Sequence, residues 1–419
     1  MQKIENTKIK ECVYKEILEN GLTVMIIPKK TIKKYVIWGT KYGSNDNKFI
    51  PYKGKEPIEV PNGIAHFLEH KLFEQENGTN SLDVLTSLGV SANAYTTNDH
   101  TAYLFEATEN FYEALDELMD YVQHPYFTKE NVEKEQGIIE QEISMYDDYP
   151  EWIVYLNAMK AMYQENPVRI DITGTKETIH QINKDILYQC YDTFYHPSNM
   201  VMVVCGDFEP EALLQEIKKR LISREERGKI ERIYPNEPKE VTKKEVIQHM
   251  EVSTPIFVIG FKDVIEEDML EKHIAMEILL NSLIGKSSTL YQELYEKGYL
   301  MEEPQLDYEF SSNYAHVTIT GQSKDPKKVK EELMKKIAEK KEKGIEEAEF
   351  QRCKKMLYGT YVREFNSVGD IARMFLADYF KGINSLDYIE KIEHISKEYT
   401  QKILEKVLRE ENQIISIVE

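Results

Sequence analysis

Cysteine is scarce in this chain, with four residues in 419. Cys12, Cys190, Cys205 and Cys353 lie far apart, and no two have the Cys-x-x-Cys spacing of a metal or redox site. We therefore expect neither a disulfide framework nor a cysteine-bound metal. This usage fits a reducing compartment and predicts a cytoplasmic location.

Long apolar runs are also absent. None approaches the roughly 20 residues that span a bilayer, and residues 1–10 are polar, unlike a secretion signal. The longest run, residues 255–261, predicts a buried strand. We expect no membrane association, and a chain of 419 residues with 41% hydrophobic content should form two or more globular domains.

Basic residues are fewer than acidic ones. Fifty-three Lys and Arg residues against 73 Asp and Glu residues give a formal net charge of −20. Nucleic-acid binding through a basic patch is therefore disfavoured. A negative protein attracts basic ligands, so a basic or unstructured peptide is a suitable substrate. Simple solubility is the alternative explanation of the charge.

What the chain does contain is the pentapeptide His-Phe-Leu-Glu-His at residues 66–70. At about 100° per residue on a helix, His70 lies about 40° round from His66, and Glu69 lies about 60° to the other side. These three side chains therefore share one face. The opposite face is apolar and should pack against a core: Ile64, Phe67, Leu68 and Leu72.

This pattern is suited to hydrolytic zinc chemistry. Neutral imidazoles of His66 and His70 would bind Zn²⁺, and Glu69 would lie beside the water in the open coordination position, placed to take its proton. Because the glutamate directly precedes the second histidine, the motif is the inverted form of the zincin sequence. Five residues alone are a weak signal, and a solvated polar helix face is the alternative.

A catalytic zinc needs a third protein ligand, and residues 133–146 offer candidates. Read as a helix, this segment has an apolar stripe that contains two glutamates, Glu135 and Glu142. Carboxylates on an apolar face need compensation, so we assign Glu142 as the ligand and Glu135 as its supporting partner behind the metal. Glu140 falls on the polar side. The alternative is that Glu135 and Glu142 are ordinary acids on a helix surface. The stripe as a whole is predicted to comprise Glu135, Ile138, Ile139, Glu142, Met145 and Tyr146.

With these residues in place, the chain resembles the insulinase/pitrilysin family of zinc metallopeptidases, the inverzincins, and most of all the two-domain bacterial members of processing-peptidase type. Glu142 follows His70 by 142 − 70 = 72 residues and Glu135 by 142 − 135 = 7, which matches the family's arrangement. Further motifs extend the resemblance over nearly the whole chain: Asn-Gly-Leu-Thr-Val at 20–24, Lys-Tyr-Gly-Ser at 41–44, Ser-Ala-Asn-Ala-Tyr-Thr at 91–96, His-Pro-Ser-Asn-Met at 196–200 and Gly-Asp at 206–207.

The resemblance implies an α+β protein of two homologous domains, each an antiparallel sheet with helices packed against it, which together enclose a substrate chamber. It also implies that the substrate peptide pairs with the strand at 91–96 as an added strand. Asn93 and Ala94 are carried over as substrate-binding residues. An ordinary strand with small core side chains is the alternative for Asn93.

The order of predicted elements repeats across a charged segment that contains Pro235 and Pro238. We therefore predict a catalytic zinc-binding domain at 1–225, a linker at 226–244 and a homologous domain at 245–419. In the second copy a helix from Glu271 to Asn281 takes the place of the zinc-motif helix. It has no His-x-x-Glu-His sequence, so only the first copy carries metal ligands.

One feature departs from the family. Single-chain members use an Arg and a Tyr from the C-terminal half to hold the substrate, but the matching stretch here has Tyr295 in place of the Arg and Met301 or Glu302 in place of the Tyr. No arginine occurs between Arg232 and Arg352, so shifting the alignment does not restore it.

We therefore predict a zinc endopeptidase that acts as the zinc-bearing subunit of a heterodimer, with a homologous partner supplying the Arg/Tyr pair. A homodimer is the alternative assembly and would still lack the arginine. Two other function classes stay open: a non-proteolytic scaffold or binding subunit, and a zinc hydrolase that acts on a non-peptide bond.

Overall fold

The computed structural model describes residues 1–224, 228–266 and 268–419. The described residues form fourteen strands: β1 (Gln2–Asn6), β2 (Glu11–Ile17), β3 (Thr23–Pro28), β4 (Lys34–Thr40), β5 (Lys48–Phe49), β6 (Ile58–Glu59), β7 (Ser91–Thr96), β8 (Thr101–Ala107), β9 (Met200–Gly206), β10 (Glu245–Gln248), β11 (Ile256–Asp263), β12 (Gln305–Phe310), β13 (Ala315–Gln322) and β14 (Gln413–Val418).

The same residues form fifteen α-helices: α1 (Ile64–Lys71), α2 (Ser81–Ser87), α3 (Phe111–Gln123), α4 (Lys129–Asp147), α5 (Pro150–Met162), α6 (Lys176–Ile179), α7 (Lys184–Phe194), α8 (Pro210–Arg220), α9 (Met269–Ile284), α10 (Thr289–Glu296), α11 (Pro326–Lys343), α12 (Glu347–Glu364), α13 (Val368–Lys381), α14 (Asp387–His394) and α15 (Lys397–Val407). In the parts of the chain described, no helix combines the length and the apolarity that crossing a membrane requires. All four cysteines are unpaired.

The first compact unit combines residues 1–143, 171–234 and 362–386. It is built on a seven-stranded sheet with the order β1-β2-β3-β9-β4-β8-β7. The β3–β9 pair is parallel and the other pairs are antiparallel. Strand β7 lies at one edge of this sheet, and α1 and α2 pack beside it.

The second unit combines residues 144–170, 235–361 and 387–419. Its five-stranded sheet has the order β10-β14-β11-β13-β12. In this sheet the β10–β14 pair is parallel, as β3–β9 is in the first sheet, and the remaining pairs are antiparallel. This order reproduces that of β3-β9-β4-β8-β7, so the prediction of two homologous α+β domains is confirmed, with one parallel pair in each sheet.

Each unit includes one helix that comes from the other half of the sequence, beyond the predicted linker. Helix α13 packs on β4 and β9 of the first sheet, and α5 packs on β11 and β14 of the second. A glycine makes room in both cases: a Cβ on Gly39 would lie 2.7 Å from Cδ1 of Leu376, and a Cβ on Gly260 would lie 2.9 Å from Sδ of Met162. The compact units are therefore discontinuous in sequence, unlike the predicted domains 1–225 and 245–419. The bounds of those domains remain a prediction.

The described part of the segment predicted as a linker contacts both units in turn. Residues 225–227 lie outside the described residues, and with them the end of the first predicted domain and the start of the linker. Farther along, Arg232 Nε lies 3.0 Å from Asp46 Oδ1, and Tyr234 donates a hydrogen bond of 2.7 Å to the same carboxylate in the first unit. Three residues later, Glu237 accepts backbone N–H groups of residues 164–166 in the second unit and pairs with Lys262. At this point the chain thus passes from the first unit to the second across two residues, Pro235 and Asn236.

The helix exchange predicts that neither half of the chain folds by itself. Fragment 1–234 lacks α13, and fragment 235–419 lacks α5, so each would expose the apolar sheet face that the missing helix covers. We expect each fragment alone to be aggregated or to lack a cooperative unfolding transition. Co-expressed, the two fragments should form a soluble 1:1 complex with a cooperative transition, measured by gel filtration and circular dichroism. A fragment that unfolds cooperatively by itself would contradict the exchange.

Candidate metal centre

Helix α1 presents the two histidines and Glu69 at the edge of the first sheet. Ile64, Phe67 and Leu68 are all buried and fix the helix by its apolar face, as predicted. The helix begins after Gly63, whose φ of 90° and close approach to the carbonyl of Thr173 leave no room for a Cβ. The polar face is covered as well, with His66 only 8% and Glu69 only 7% exposed. These are desolvated groups, not a solvated helix surface.

Three potential ligands converge on one point. His66, His70 and Glu142 each offer an atom within 4.8 Å of the others, and they are the one such group among the described residues. His66 Nε2 lies 3.7 Å from Glu142 Oε1, and His70 Nε2 lies 3.7 Å from Glu142 Oε2. Helix α4 supplies the glutamate, so the site joins two helices that are far apart in sequence.

These separations fit a tetrahedral cation better than direct hydrogen bonds. Zinc bonds to nitrogen and oxygen are about 2.0–2.1 Å long, which places neighbouring tetrahedral ligands roughly 3.3 Å apart. A distance of 3.7 Å is too long for a hydrogen bond. Two imidazoles and one carboxylate are also the donor set of known catalytic zinc sites. The residues present therefore fit zinc.

Glu135 orients one of the imidazoles. Its Oε1 lies 3.0 Å from Nδ1 of His70, so this ring nitrogen carries the proton and Nε2 keeps the lone pair that faces Glu142. The buried Glu135 is in turn accompanied by Lys71, which is fully buried and lies 3.7 Å from Glu135 Oε2 while it also pairs with Glu74. Sequence reasoning missed Lys71, because a lysine next to the motif gives no sign that its ammonium group points inward.

The two imidazoles have different electrostatic surroundings. Burial, together with the charge of His70, lowers the pKa of His66 to about 3, which keeps its ring neutral as a metal ligand must be. Burial also lowers the pKa of His70, but the hydrogen bond to Glu135 and the charges of Glu69, Glu135 and Glu142 outweigh it and leave this pKa raised. Among the described residues Nδ1 of His66 has no hydrogen-bond partner, so packing alone orients that ring.

Glu69 lies beside the ligands without belonging to their group. Its Oε2 accepts a hydrogen bond of 2.6 Å from Oγ1 of Thr96, the last residue of β7. Burial raises the pKa of Glu69 to about 7, although the Thr96 hydrogen bond and the charge of His70 lower it. A cation held by the neighbouring ligands would lower it further. Thr96 lies in the strand that sequence analysis noted, but nothing in its type or position indicates that its hydroxyl reaches Glu69.

The pocket holds more negative than positive charge. Burial raises the pKa of Glu142, His70 lowers it, and Asp171 and Glu135 raise it again. Glu69, Glu135 and Glu142 thus place three carboxyl groups around two imidazoles. Removing carboxylates from water is costly without compensating positive charge. A divalent cation would supply that compensation.

The helix of Glu142 differs in part from the predicted stripe. Glu135, Ile139 and Ile143 are buried, but Ile138 and Met145 are 45% and 60% exposed. Their burial was predicted wrongly, because the packed face of α4 centres near Val132 and Ile139, and Ile138 and Met145 lie more than about 100° away from it round the helix. Glu142 lies at the boundary between the packed and the exposed face. Glu140 points elsewhere, with its Oε2 lying 3.6 Å from Nε2 of His180.

The residues predicted to bind substrate lie on β7. Among the described residues this strand has β8 as its one neighbour, so its other side is open to pairing. Asn93 is exposed and Ala94 is half-buried. The side chain of Asn93 accepts a hydrogen bond of 2.9 Å from the backbone N–H of Ala94. Both residues precede Thr96 on the same strand.

Two relatives that match part of the chain are named as subunits of larger assemblies. A mitochondrial-processing peptidase subunit beta of Arabidopsis thaliana is 28% identical over 165 residues, which cover 38% of this chain and 30% of that protein. Cytochrome b-c1 complex subunit 1 of Mus musculus is 26% identical over 215 residues, covering 49% and 42%.

Two bacterial proteins are similar to this chain over nearly its full length. The uncharacterized zinc protease YmfH of Bacillus subtilis is 40% identical over 417 residues, 96% of this chain and 95% of that protein. The crystal structure of an M16-like peptidase from Alicyclobacillus acidocaldarius has a TM-score of 0.94 and 34% identity, covering 99% of both chains. The family model of the insulinase family, peptidase family M16, matches residues 58–176, and that of the peptidase M16 inactive domain matches residues 181–357. The chain belongs to the insulinase family, peptidase family M16.

Proposed function

We propose that this protein is a zinc-dependent endopeptidase that processes extended or unstructured peptides. The observation that carries the proposal is the convergence of His66, His70 and Glu142, with Glu69 beside them and outside the ligand group. Similarity to two proteins named as uncharacterized zinc proteases, over 96% and 83% of this chain, supports it. Four unpaired cysteines support a cytoplasmic location as part of the same proposal.

His66, His70 and Glu142 would hold the zinc ion, which when bound polarises the carbonyl of the scissile peptide bond. Glu69 is the general base. Thr96 occupies its Oε2, so Oε1 is the atom available to take a proton from the attacking water and to return it to the leaving nitrogen. Glu135 holds the proton of His70 on Nδ1 throughout. Burial of Glu69 and His66 limits access of bulk water.

The open side of β7 is the proposed substrate-binding element. A peptide that pairs with this strand must be extended over several residues, which selects unstructured segments and excludes folded ones. Asn93 and Ala94 would contact it. The net charge of −20 favours peptides that carry basic residues.

The proposal includes a homologous partner subunit. Helix α10 and the residues after it occupy the stretch where the family's Arg and Tyr are expected, and here Tyr295 and Met301 are 53% and 48% exposed. Neither side chain supplies the planar donors of a guanidinium. The subunit names of the Arabidopsis and mouse relatives support a paired assembly. A heterodimer would provide the missing arginine, whereas a homodimer would not.

A scaffold subunit with little or no activity is the second candidate. The match of residues 181–357 to a domain described as inactive favours it. That segment contains none of the proposed metal ligands, and the described residues of the first unit bring all of them together. We therefore prefer the enzyme.

Loss of any one ligand should remove the metal. We expect His66→Ala, His70→Ala and Glu142→Gln to lose bound zinc and peptidase activity, because two remaining ligands leave the cation largely uncoordinated. Elemental analysis of the purified variants measures zinc per chain. Glu140→Gln is the matched control on the same helix and should keep full zinc. Full occupancy in Glu142→Gln together with loss in Glu140→Gln would show that the third ligand was assigned to the wrong glutamate.

Substitution of Glu69 should reduce turnover without weakening the binding of zinc or peptide. Glu69→Gln keeps the shape of the side chain and can still accept from Thr96, but it cannot take a proton. We expect normal zinc content and peptide affinity with turnover reduced by about 10²–10⁴-fold. Steady-state kinetics and a peptide-binding titration on the same preparation test this. Near-normal turnover would refute the role of Glu69 as base.

Activity should depend on the partner. We expect the purified chain to cleave unstructured peptides slowly by itself, and about 10²–10³-fold faster with a homologue of similar size that carries the Arg/Tyr pair, since a lost transition-state clamp commonly costs a few kcal/mol. The control mixture contains Glu69→Gln of this chain and should stay inactive. If the lone chain, shown to be free of partner, is as fast as the mixture, complementation is wrong.

A further inference from the structure

We infer that Thr96 is a positioning residue for the general base: its hydroxyl holds one oxygen of Glu69 and ties the base to the strand on which the substrate is proposed to pair. This inference rests on the proposed function for its kinetic consequence. The contact itself is a property of the fold, and it can be tested without any substrate.

The hydroxyl is the donor in this hydrogen bond. Thr96 Oγ1 donates to Glu69 Oε2 over 2.6 Å, and in the ionised form that acts as a base the carboxylate can only accept. The next nearest hydroxyl, Thr101 Oγ1, lies 3.3 Å from Thr96 Oγ1 and donates its own proton to the carbonyl of Tyr42 over 2.9 Å. Thr101 Oγ1 could therefore only accept from Thr96, and the carboxylate at 2.6 Å is a much closer acceptor than this hydroxyl at 3.3 Å, so the proton of Thr96 goes to Glu69.

Glu69 depends on this one bond. In the part of the chain that the structure describes, Oε2 accepts from Thr96 and Oε1 accepts no hydrogen bond. The side chain is only 7% exposed, so solvent gives it little support. A glutamate has three rotatable side-chain bonds, and a single anchored oxygen restricts them while it leaves the second oxygen unoccupied. This is the arrangement that a base needs when it must take a proton at a defined point.

Thr96 also forms a side-chain link between two elements that pack against each other, β7 and α1. Its backbone is the last residue of β7 and pairs with Thr101 of β8, whereas Glu69 belongs to α1. A peptide added to the open side of β7 would take its register from that strand. The Thr96 hydroxyl therefore fixes the Glu69 carboxylate relative to β7. It thereby also fixes the carboxylate relative to a peptide that pairs with that strand.

Thr96→Val tests the role with little change of shape, because valine is nearly isosteric and keeps the β-branched preference for a strand. We expect kcat to fall about 10- to 100-fold, the factor commonly produced by losing a hydrogen bond to a charged group, with KM and zinc content unchanged. Thr96→Ser keeps the hydroxyl and should restore kcat to within a few-fold of the unsubstituted protein. Thr86→Val, at an exposed threonine on α2, is the matched control and should be without effect.

The same substitution made in the Glu69→Gln protein shows whether Thr96 acts through Glu69. In Glu69→Gln the base is already lost, so adding Thr96→Val should not slow the residual reaction further. Three results would overturn the inference: an equal fall in this background, a Thr96→Ser protein as slow as Thr96→Val, or loss of zinc from Thr96→Val.

A substrate-free measurement separates this inference from the proposed function. Urea unfolding of the metal-free protein, Thr96→Val, Glu69→Ala and the double variant forms a double-mutant cycle. We expect a coupling of about 10-fold in the unfolding equilibrium constant, and none between Thr86→Val and Glu69→Ala. If the unsubstituted protein cleaves no peptide with or without a partner, the proposed function fails while the cycle still decides Thr96. A coupling factor near one overturns the Thr96 contact whatever the activity.

Discussion

The hydrogen bond between Nδ1 of His70 and Glu135 is the constraint on which the geometry of the candidate metal centre depends. It joins α1 to α4 and decides which nitrogen of His70 faces Glu142. Because Glu135 is buried, the bond also requires a positive charge behind it, and the fully buried Lys71 provides one. Lys71, Glu135 and His70 thus form a chain of contacts in which Lys71 lies beside Glu135 and Glu135 orients the ring of His70 toward Glu142.

The side chains around these contacts are largely buried, include several carboxyl groups and are positioned by few hydrogen bonds. His66 is kept neutral by burial, Glu69 is anchored by one threonine, and Glu142 lies at the edge of the packed face of α4. Such a pocket is unfavourable without a cation, since its carboxyl groups are removed from water and only partly paired. A divalent cation would offset this imbalance of charge.

The duplicated architecture places this centre in only one of two equivalent positions. Strands β3-β9-β4-β8-β7 and β10-β14-β11-β13-β12 share order and pairing, and α9 lies beside β12 as α1 lies beside β7. The exchange of α5 and α13 makes each sheet depend on residues from the other half, through the space left at Gly39 and Gly260. The second copy therefore contributes to the stability of the whole chain without metal ligands of its own.

Local spacing was enough to predict the parts of the site that follow from one helix or one strand. The residues of α1, the apolar face opposite its histidines, the placement of Glu142 rather than Glu140 near those histidines and the strand at 91–96 all follow from periods of 3.6 and 2 residues. Helix α9 of the second half also lies where the helix from Glu271 to Asn281 was predicted. These features depend on neighbours a few residues away, which the sequence contains directly.

Other features were decided by contacts between segments far apart in the chain. The inward turn of Lys71, the reach of Thr96 to Glu69 and the exposure of Ile138 and Met145 depend on which surfaces meet after folding. The helix exchange has the same origin, because an apolar helix carries no sign of which of two similar sheets it will cover. The sequence by itself determined the ligand types, their spacing and the elements that carry them. Only the tertiary structure decided how those ligands are oriented, anchored and charged, because orientation and desolvation arise from packing between distant residues.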